Sequence, residues 1–398
     1  MSDRLLTPRF LIMCAYSFTV FVSVFQLLPT APYHVIDLGG GTVAAGLFLG
    51  FLTYASAISA PFTGAIGDRI GQRRVLIVVS LILAVFTASY AVIENYRVML
   101  AVVIVHGVFW SALLAASGAY MTSSLPAARR AEGLGYWGLS SVLAIGAAPA
   151  IGFWMYRHGW AALCIEITIL NLLMALIAWR LPDDHHGAHG HDPETAGAAH
   201  ASMHVIEWRV LLLSIGLALI SFGYGGLTSF SALYADDLGI SPRSLFLSAM
   251  AVSMLVARLT LGRSIDRLGH RWTLTKCLLV PPAGLALLAV ANGSLSFALA
   301  AMLFGAGFGL MHPAYTAYVM NHVPFARRGA AFGAMLAAFD TGIGTGSSTM
   351  GWVIQHVGFR QAFALTAIIA ALALPVFLYA ERKLGFRTTD TMGGHGGP

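Results

Sequence analysis

Apolar residues run along this chain in blocks of about twenty, separated by short stretches that hold nearly all the charge. A helix needs about 20 mostly apolar residues to cross the hydrocarbon layer of a bilayer. The pattern predicts twelve such helices, near residues 10–30, 42–65, 75–93, 98–123, 133–155, 161–180, 210–234, 244–262, 273–292, 295–321, 329–354 and 361–381, here termed spans one to twelve. Span one follows Arg4 and Arg9, as the apolar core of a signal peptide would. It is too long for that role and many equally apolar runs follow it, so it reads as the first membrane helix. One hydrophilic stretch, Pro182 to Glu207, breaks the series. It has no apolar period and reads as a linker. The expected organisation is a six-helix bundle over 1–181, a His-rich cytoplasmic linker over 182–208, a second six-helix bundle over 209–384 and a cytoplasmic tail over 385–398.

Composition supports this division into spans. Of 398 residues, 58% are hydrophobic and 10% charged, against roughly 25% charged in a soluble globular protein. The net charge of +6 would suit nucleic-acid binding if it were clustered, but its distribution has another reading. With the N-terminus cytoplasmic, the segments on that side hold 18 of the 23 Lys and Arg residues and the opposite loops hold only Arg97, Arg157, Arg243 and Arg360. Short cytoplasmic loops carry the excess of Lys and Arg in membrane proteins. Both termini are therefore expected in the cytoplasm, and the basic charge signals orientation and no nucleic-acid partner. Cys14, Cys164 and Cys277 lie far apart beside apolar runs, which draws no disulfide framework.

The second half repeats the first at an offset of 198 residues. Asp68-Arg69-Ile70-Gly71-Gln72-Arg73 corresponds to Asp266-Arg267-Leu268-Gly269-His270-Arg271, Leu125-Pro126 with Arg129-Arg130 to Val323-Pro324 with Arg327-Arg328, and His158 to His356. Three matches in order at one offset define two parallel repeats. Six spans each give both the same orientation, so they are related by an axis along the membrane normal and enclose a site between them.

Gly64-Ala65-Ile66-Gly67-Asp68-Arg69-Ile70-Gly71-Gln72-Arg73-Arg74 resembles the loop signature of the major facilitator superfamily between helices two and three, and Gly262 to Arg271 resembles its weaker copy. With twelve spans and a central linker, the resemblance covers nearly the whole chain. It implies an all-α membrane protein of twelve transmembrane helices in two parallel-repeat six-helix bundles. It also implies that Gly64, Asp68, Arg69, Gly71 and Arg73, with Asp266, Arg267, Gly269 and Arg271, latch the halves on the cytoplasmic side. Physically, glycine permits a tight turn and close helix approach, and Asp68 can cap a helix start and pair with arginines. Arg258 in span eight leads into the second loop and is assigned to the same latch, with the cavity as the alternative. Gly146, Pro149 and Gly152 in span five are similar to a motif of the proton-driven exporters of the family, although Ala148 and Phe153 depart from it. Those exporters commonly carry an Arg in span four; aligned on Gly107, that position is Val103, so the resemblance does not imply coupling through that Arg.

Charges inside a bilayer are rare and mark functional positions. Asp340 in span eleven, His106 in span four and His312 in span ten are candidates for proton coupling or for the substrate cavity. The two histidines are placed at comparable depths, and an imidazole exchanges protons near neutral pH. Glu166 in span six is read as interfacial. Tyr16, Phe25, Trp110, Tyr224, Phe230 and Tyr315 are candidate cavity walls. The linker histidines, His185, His186, His189, His191, His200 and His204, could ligate a metal, but nothing fixes a ligand geometry and no metal or cofactor is assigned.

No nucleotide-binding stretch occurs, so any transport must draw on a gradient. The expected function is secondary active transport, namely proton-coupled efflux of a small amphipathic compound by an antiporter of the cell inner membrane. The protein is expected to act as a monomer, with the bilayer, the solute and a proton as partners. An importer or a carrier of metals or metallophores is the alternative within transport. A polytopic membrane enzyme or sensor is the alternative outside it, and no cluster of nucleophiles or ligands at one membrane face supports an enzyme. Deletion of 183–204 is expected to leave uptake into sealed vesicles and metal tolerance of cells unchanged; loss of either would support the metal reading.

Overall fold

The computed structural model describes residues 6–126, 129–182, 208–268, 270–324 and 327–384, all helical or connecting, with no strand among them. The first half contains α1 (Pro8–Asp37), α2 (Thr42–Ile70), α3 (Gln72–Tyr90), α4 (Tyr96–Ser124), α5 (Arg130–Tyr156) and α6 (Trp160–Trp179). The second contains α7 (Trp208–Leu213), α8 (Ile215–Asp237), α9 (Leu245–Leu268), α10 (His270–Ala289), α11 (Ser294–His322), α12 (Arg328–Val357), α13 (Phe359–Ala371) and α14 (Ala373–Lys383). Span seven is α7 with α8, interrupted at Ser214; span twelve is α13 with α14, interrupted at Leu372. Helix α1 outruns its predicted span because it stays helical through Pro29 and Pro32.

Among the described residues ten helices are long and apolar enough to cross a membrane, α13 and α14 counting as one. The two other crossings are α9, whose apolar part is Leu245–Leu261, and α12, thirty residues rich in Gly, Ser and Thr. Both lie at the centre, each packed against a helix of the other half. A helix sheltered from lipid by protein does not need an apolar surface all round, which is why hydropathy weakens there.

The repeat is visible in the packing. α1 packs on α5, α2 on α4 and α3 on α6; 198 residues on, α8 packs on α12, α9 on α11 and α10 on α13. The halves meet along α2–α12, α5–α9 and α1–α8, and the first of these seams is the most extensive. Small residues let it form. A methyl group on Gly46 would lie 2.3 Å from the Ser347 carbonyl across the seam, and within the second half one on Gly346 would lie only 1.9 Å from the Phe222 carbonyl of α8, which holds α12 in place. Ser347, fully buried, donates its hydroxyl to Gly46 O at 2.8 Å and meets Ser229 Oγ at 2.7 Å. Thr42 Oγ1 donates to Gly351 O at 2.9 Å. Between membrane helices there is no hydrophobic drive, so close packing and such bonds supply the association.

Gly346→Ala should force α8 and α12 apart and cost about 1–3 kcal/mol, the usual range for overpacking. Gly118→Ala on α4, where nothing lies within 4 Å of the added carbon, should be neutral or slightly stabilising. Thermal unfolding of the purified variants in one detergent checks the contrast.

Candidate functional site

Three ionisable groups of the second half share one layer. Arg258 is ten residues from the end of α9 that faces the termini, His312 ten residues from that end of α11, and Asp340 twelve residues into α12. At 1.5 Å per residue this puts all three roughly 15–18 Å from the termini face, near mid-membrane. Asp340 accepts a hydrogen bond from Ser56 of α2 (Oγ to Oδ2, 3.1 Å), so it lies on the seam between the halves. Arg258 donates Nε–H to Gly309 O on α11 at 2.9 Å and Nη1–H to Gly138 O on α5 at 3.4 Å. It spans the second seam, and among the described residues it has no acidic partner. The His312 ring meets Phe339 edge-on, with centroids 5.4 Å apart. Phe339 stacks on Phe308 at 6.2 Å, and Phe308 stacks on Tyr224 at 4.4 Å. An aromatic ladder thus runs beside a cation, an imidazole and a carboxyl.

On one side of this layer the protein is closed. Tyr33 of α1 donates to Asp236 of α8 at 3.0 Å, Arg243 pairs with Asp236 at 2.9 Å, and its guanidinium lies 4.7 Å above the Tyr33 ring. Tyr54 donates to Thr345 Oγ1 at 2.9 Å. Toward the termini face the same helix faces part. Gly46, Gly50 and Tyr54 of α2 lie against α12, but Ile58 and Phe62, the next positions of that stripe, are 73% and 71% exposed. Opposite them Phe332 is exposed and Gly333 has nothing within 4 Å of an added carbon.

The sequence-derived candidates divide accordingly. Asp340, His312 and Arg258 lie at one depth, and Tyr224 is linked to His312 through Phe308 and Phe339. Gly146 of the helix-five motif sits on the α5–α9 seam, where an added methyl would lie 3.2 Å from the Ala251 side chain, and Gly152 packs on Gln26 of α1. Pro149 lies buried between them. Phe25 and Trp110 each pack on Phe21 in the first half. Tyr16 does not line the space between the halves; it is fully buried, bonded to Ser80 at 3.0 Å on α3. Tyr315 is likewise buried, donating to Leu213 O against Phe377. Phe230 is fully buried in the closed part of the α2–α12 seam.

His106 corrects the expected symmetry of the histidines. The position 198 residues on is Phe304, not His312, so the two lie about two turns apart in depth. His106 faces the interior of its own bundle. Its Nδ1 meets Tyr90 OH at 3.1 Å, its ring stacks on Phe86 at 5.6 Å, and it borders a small, mainly apolar gap to which Ser23, Thr87 and Asn171 also contribute.

Gly71, at φ +92° between α2 and α3, needs a backbone conformation that only glycine adopts freely. Gly64, Asp68 and Arg69 lie in the last turns of α2, and Asp266 and Arg267 in those of α9. Gly269 lies outside the described residues, as do the side chains of Asp68, Asp266 and Arg267. Arg73 donates to Trp179 O of α6 at 2.6 Å. Arg271 forms a bidentate pair with Glu381 of α14 at 2.7 and 2.9 Å, and Tyr318 also donates to that carboxylate. Arg73 and Arg271, two of the four signature arginines, thus each hold a helix of their own half. The histidine stretch 183–204 also lies outside the described residues. Among the described residues no three His, Cys, Asp or Glu side chains gather where a metal could be held.

Sequence reasoning did not identify Ser56, Phe308, Phe339 or the Tyr33–Asp236–Arg243 closure. Ser56 and Phe339 look like ordinary helix residues until the partner helix is known. Asp236 and Arg243, flanking a short loop, were the only available signal.

Two helical bundles with charged groups on their seams, closed toward one face and parted toward the other, have the architecture of a membrane transporter. A sequence profile of the Major Facilitator Superfamily matches residues 9–275 and 213–392. The chain belongs to that family. It is 30% identical over 393 residues to an uncharacterised MFS-type transporter of Pseudomonas aeruginosa, covering 92% of each chain. It is 24% identical over 360 residues to the Staphylopine export protein of Staphylococcus aureus, covering 86% of this chain and 88% of that one. The fold resembles the nucleoside transporter NupG (TM-score 0.72, 15% identity, covering 94% and 99% of the two chains) and the human organic anion transporter MFSD10 (TM-score 0.68, 14% identity, covering 93% and 100%).

The parted faces predict water access. With Cys14, Cys164 and Cys277 replaced by alanine, Phe62→Cys and Phe332→Cys should react with a membrane-impermeant maleimide at least tenfold faster than Phe230→Cys. Mass spectrometry of labelled membranes measures the rates.

Proposed function

We propose that the protein is a proton-coupled exporter of a small amphipathic solute, working by alternating access around the layer of Arg258, His312 and Asp340. The observation that carries this reading is Asp340 on the α2–α12 seam. A carboxyl placed between two halves that rock changes its exposure with each cycle, which lets it take up a proton from one side and release it on the other. It would do the work assigned in similar exporters to the Arg replaced by Val103. Arg258, a cation with no acidic partner among the described residues, favours a solute carrying one acidic group, and the ladder from Tyr224 to Phe339 favours a planar or apolar body beside it. The relative named as an export protein supports the outward direction.

In this reading both termini are cytoplasmic, the parted face opens inward, and residues 1–181 and 209–384 are the moving bundles. The 182–208 segment joins them and 385–398 is a tail. Gly64, Asp68, Arg69, Gly71 and Arg73, with Asp266, Arg267, Gly269 and Arg271, would close the inner face when the outer one opens. The protein acts as a monomer in the inner membrane, and no cofactor is required.

A panel of amphipathic acids tested on cells lacking or overproducing the protein would identify the solute. In proteoliposomes Asp340→Asn should then lower gradient-driven transport at least tenfold while leaving solute exchange within about twofold. Unchanged gradient-driven transport would overturn the role of Asp340, and accumulation in the import direction would overturn export.

A further inference from the structure

Another carboxyl within a membrane helix, Glu166 of α6, lies in the first half; the residue is half-buried, and the central layer does not use it. Gln26 of α1 is fully buried. Its Nε2–H donates to Glu166 Oε1 on α6 at 3.1 Å. The two remaining oxygens, Gln26 Oε1 and Glu166 Oε2, are both buried, and neither has a hydrogen-bond partner among the described residues. Two acceptors cannot satisfy each other, and one hydrogen between them would satisfy both. No other charged or titratable side chain among the described residues acts on Glu166. From α1 the facing polar group is Gln26, and the groove that Glu166 borders is otherwise lined by Met155 of α5 and Ala162, Ile165, Ile169 and Leu170 of α6, all apolar.

We infer that Gln26 and Glu166 form a cyclic acid–amide pair that holds one proton in this conformation, a proton site separate from Asp340. In the pair Gln26 Nε2–H donates to Glu166 Oε1, and Glu166 Oε2–H donates to Gln26 Oε1. Release breaks the Oε2–H bond, leaves the electron pair on the carboxylate and delivers the proton to water. A bare carboxylate is costly among apolar side chains, so release has to accompany a rearrangement that admits water. The neighbours show which helix would move. Gly152 of α5 is so close to Gln26 that an added methyl would lie 2.9 Å from its Cα, and α5 continues to the seam with α9 at Gly146 and Gly138. The position equivalent to Gln26 in the second half, 198 residues on, is Tyr224, and that equivalent to Glu166 is Ala364. The first half thus carries its own proton site where the second half carries a wall of the central site. The existence of the proton is independent of the transport reading, whereas its coupling to opening rests on it.

Infrared spectroscopy of the full chain in lipid tests the proton. Near neutral pH the carboxylic-acid C=O band should lose a component in Glu166→Gln and keep it in Asp340→Asn. Gln26→Leu should shift that component without abolishing it. A Glu166→Gln spectrum identical to wild type in this region would overturn the inference and leave an ammonium group of a lipid or solute as the missing donor. Spin-label distances between residues 62 and 332, followed across pH, test the coupling. Glu166→Gln should reduce the pH-dependent change at least twofold, also in the Asp340→Asn background. An unaltered change would remove the pair from the transport cycle while leaving the infrared result intact.

Discussion

The structure depends on the close approach of α2, α8 and α12. Lipid provides no hydrophobic drive between helices, so α2 of the first half and α8 and α12 of the second are joined by contacts that only small residues permit. Gly46 beside Ser347, Gly346 beside Phe222, and the hydroxyl of Ser347 shared with Gly46 and Ser229 bring three backbones together. The carboxyl of the central layer is positioned by that seam. Asp340 lies at its inner end, bonded to Ser56, where close packing stops and the helix faces begin to part.

The two seams began as copies and have diverged chemically. Gly344 against Thr53 and Gly146 against Ala251 are the same contact 198 residues apart. Asp340 with Ser56 corresponds to Val142 with Met254, and Arg258 and His312 correspond to Ala60 and Leu114. Packing geometry was kept in both halves, while the polar groups of the central layer remain in one. A protein that rocks two halves needs matching shapes on both sides. It needs a titrating or charged group only where solute and proton are handled.

How much of the site was legible follows from the residue types. Asp340 and Arg258 stood out because a charge in an apolar run requires a reason. Their surroundings did not: Phe339, Phe308 and Ser56 are the residues any membrane helix contains. Tyr16 and Tyr315 looked like cavity walls for the same reason that Tyr224 did, and only packing distinguished them. His106 looked like a mate of His312 because both are histidines on related helices, though the repeat itself aligns His106 with Phe304. The weak hydropathy of α12, by contrast, fits its central place between α2 and α8.

The sequence by itself determined the number of crossings, the repeat, the family and the short list of ionisable groups inside the membrane. Each of these is a property of composition along one dimension, set by the thickness of the bilayer and by the cost of charge within it. The tertiary structure alone decided which faces of the helices meet. In a helix that is apolar all round, the hydrophobic pattern does not distinguish a side facing lipid from one facing protein. Hence only the fold could bring Asp340 to Ser56, carry Arg258 across to Gly138, turn His106 inward and pair Glu166 with Gln26.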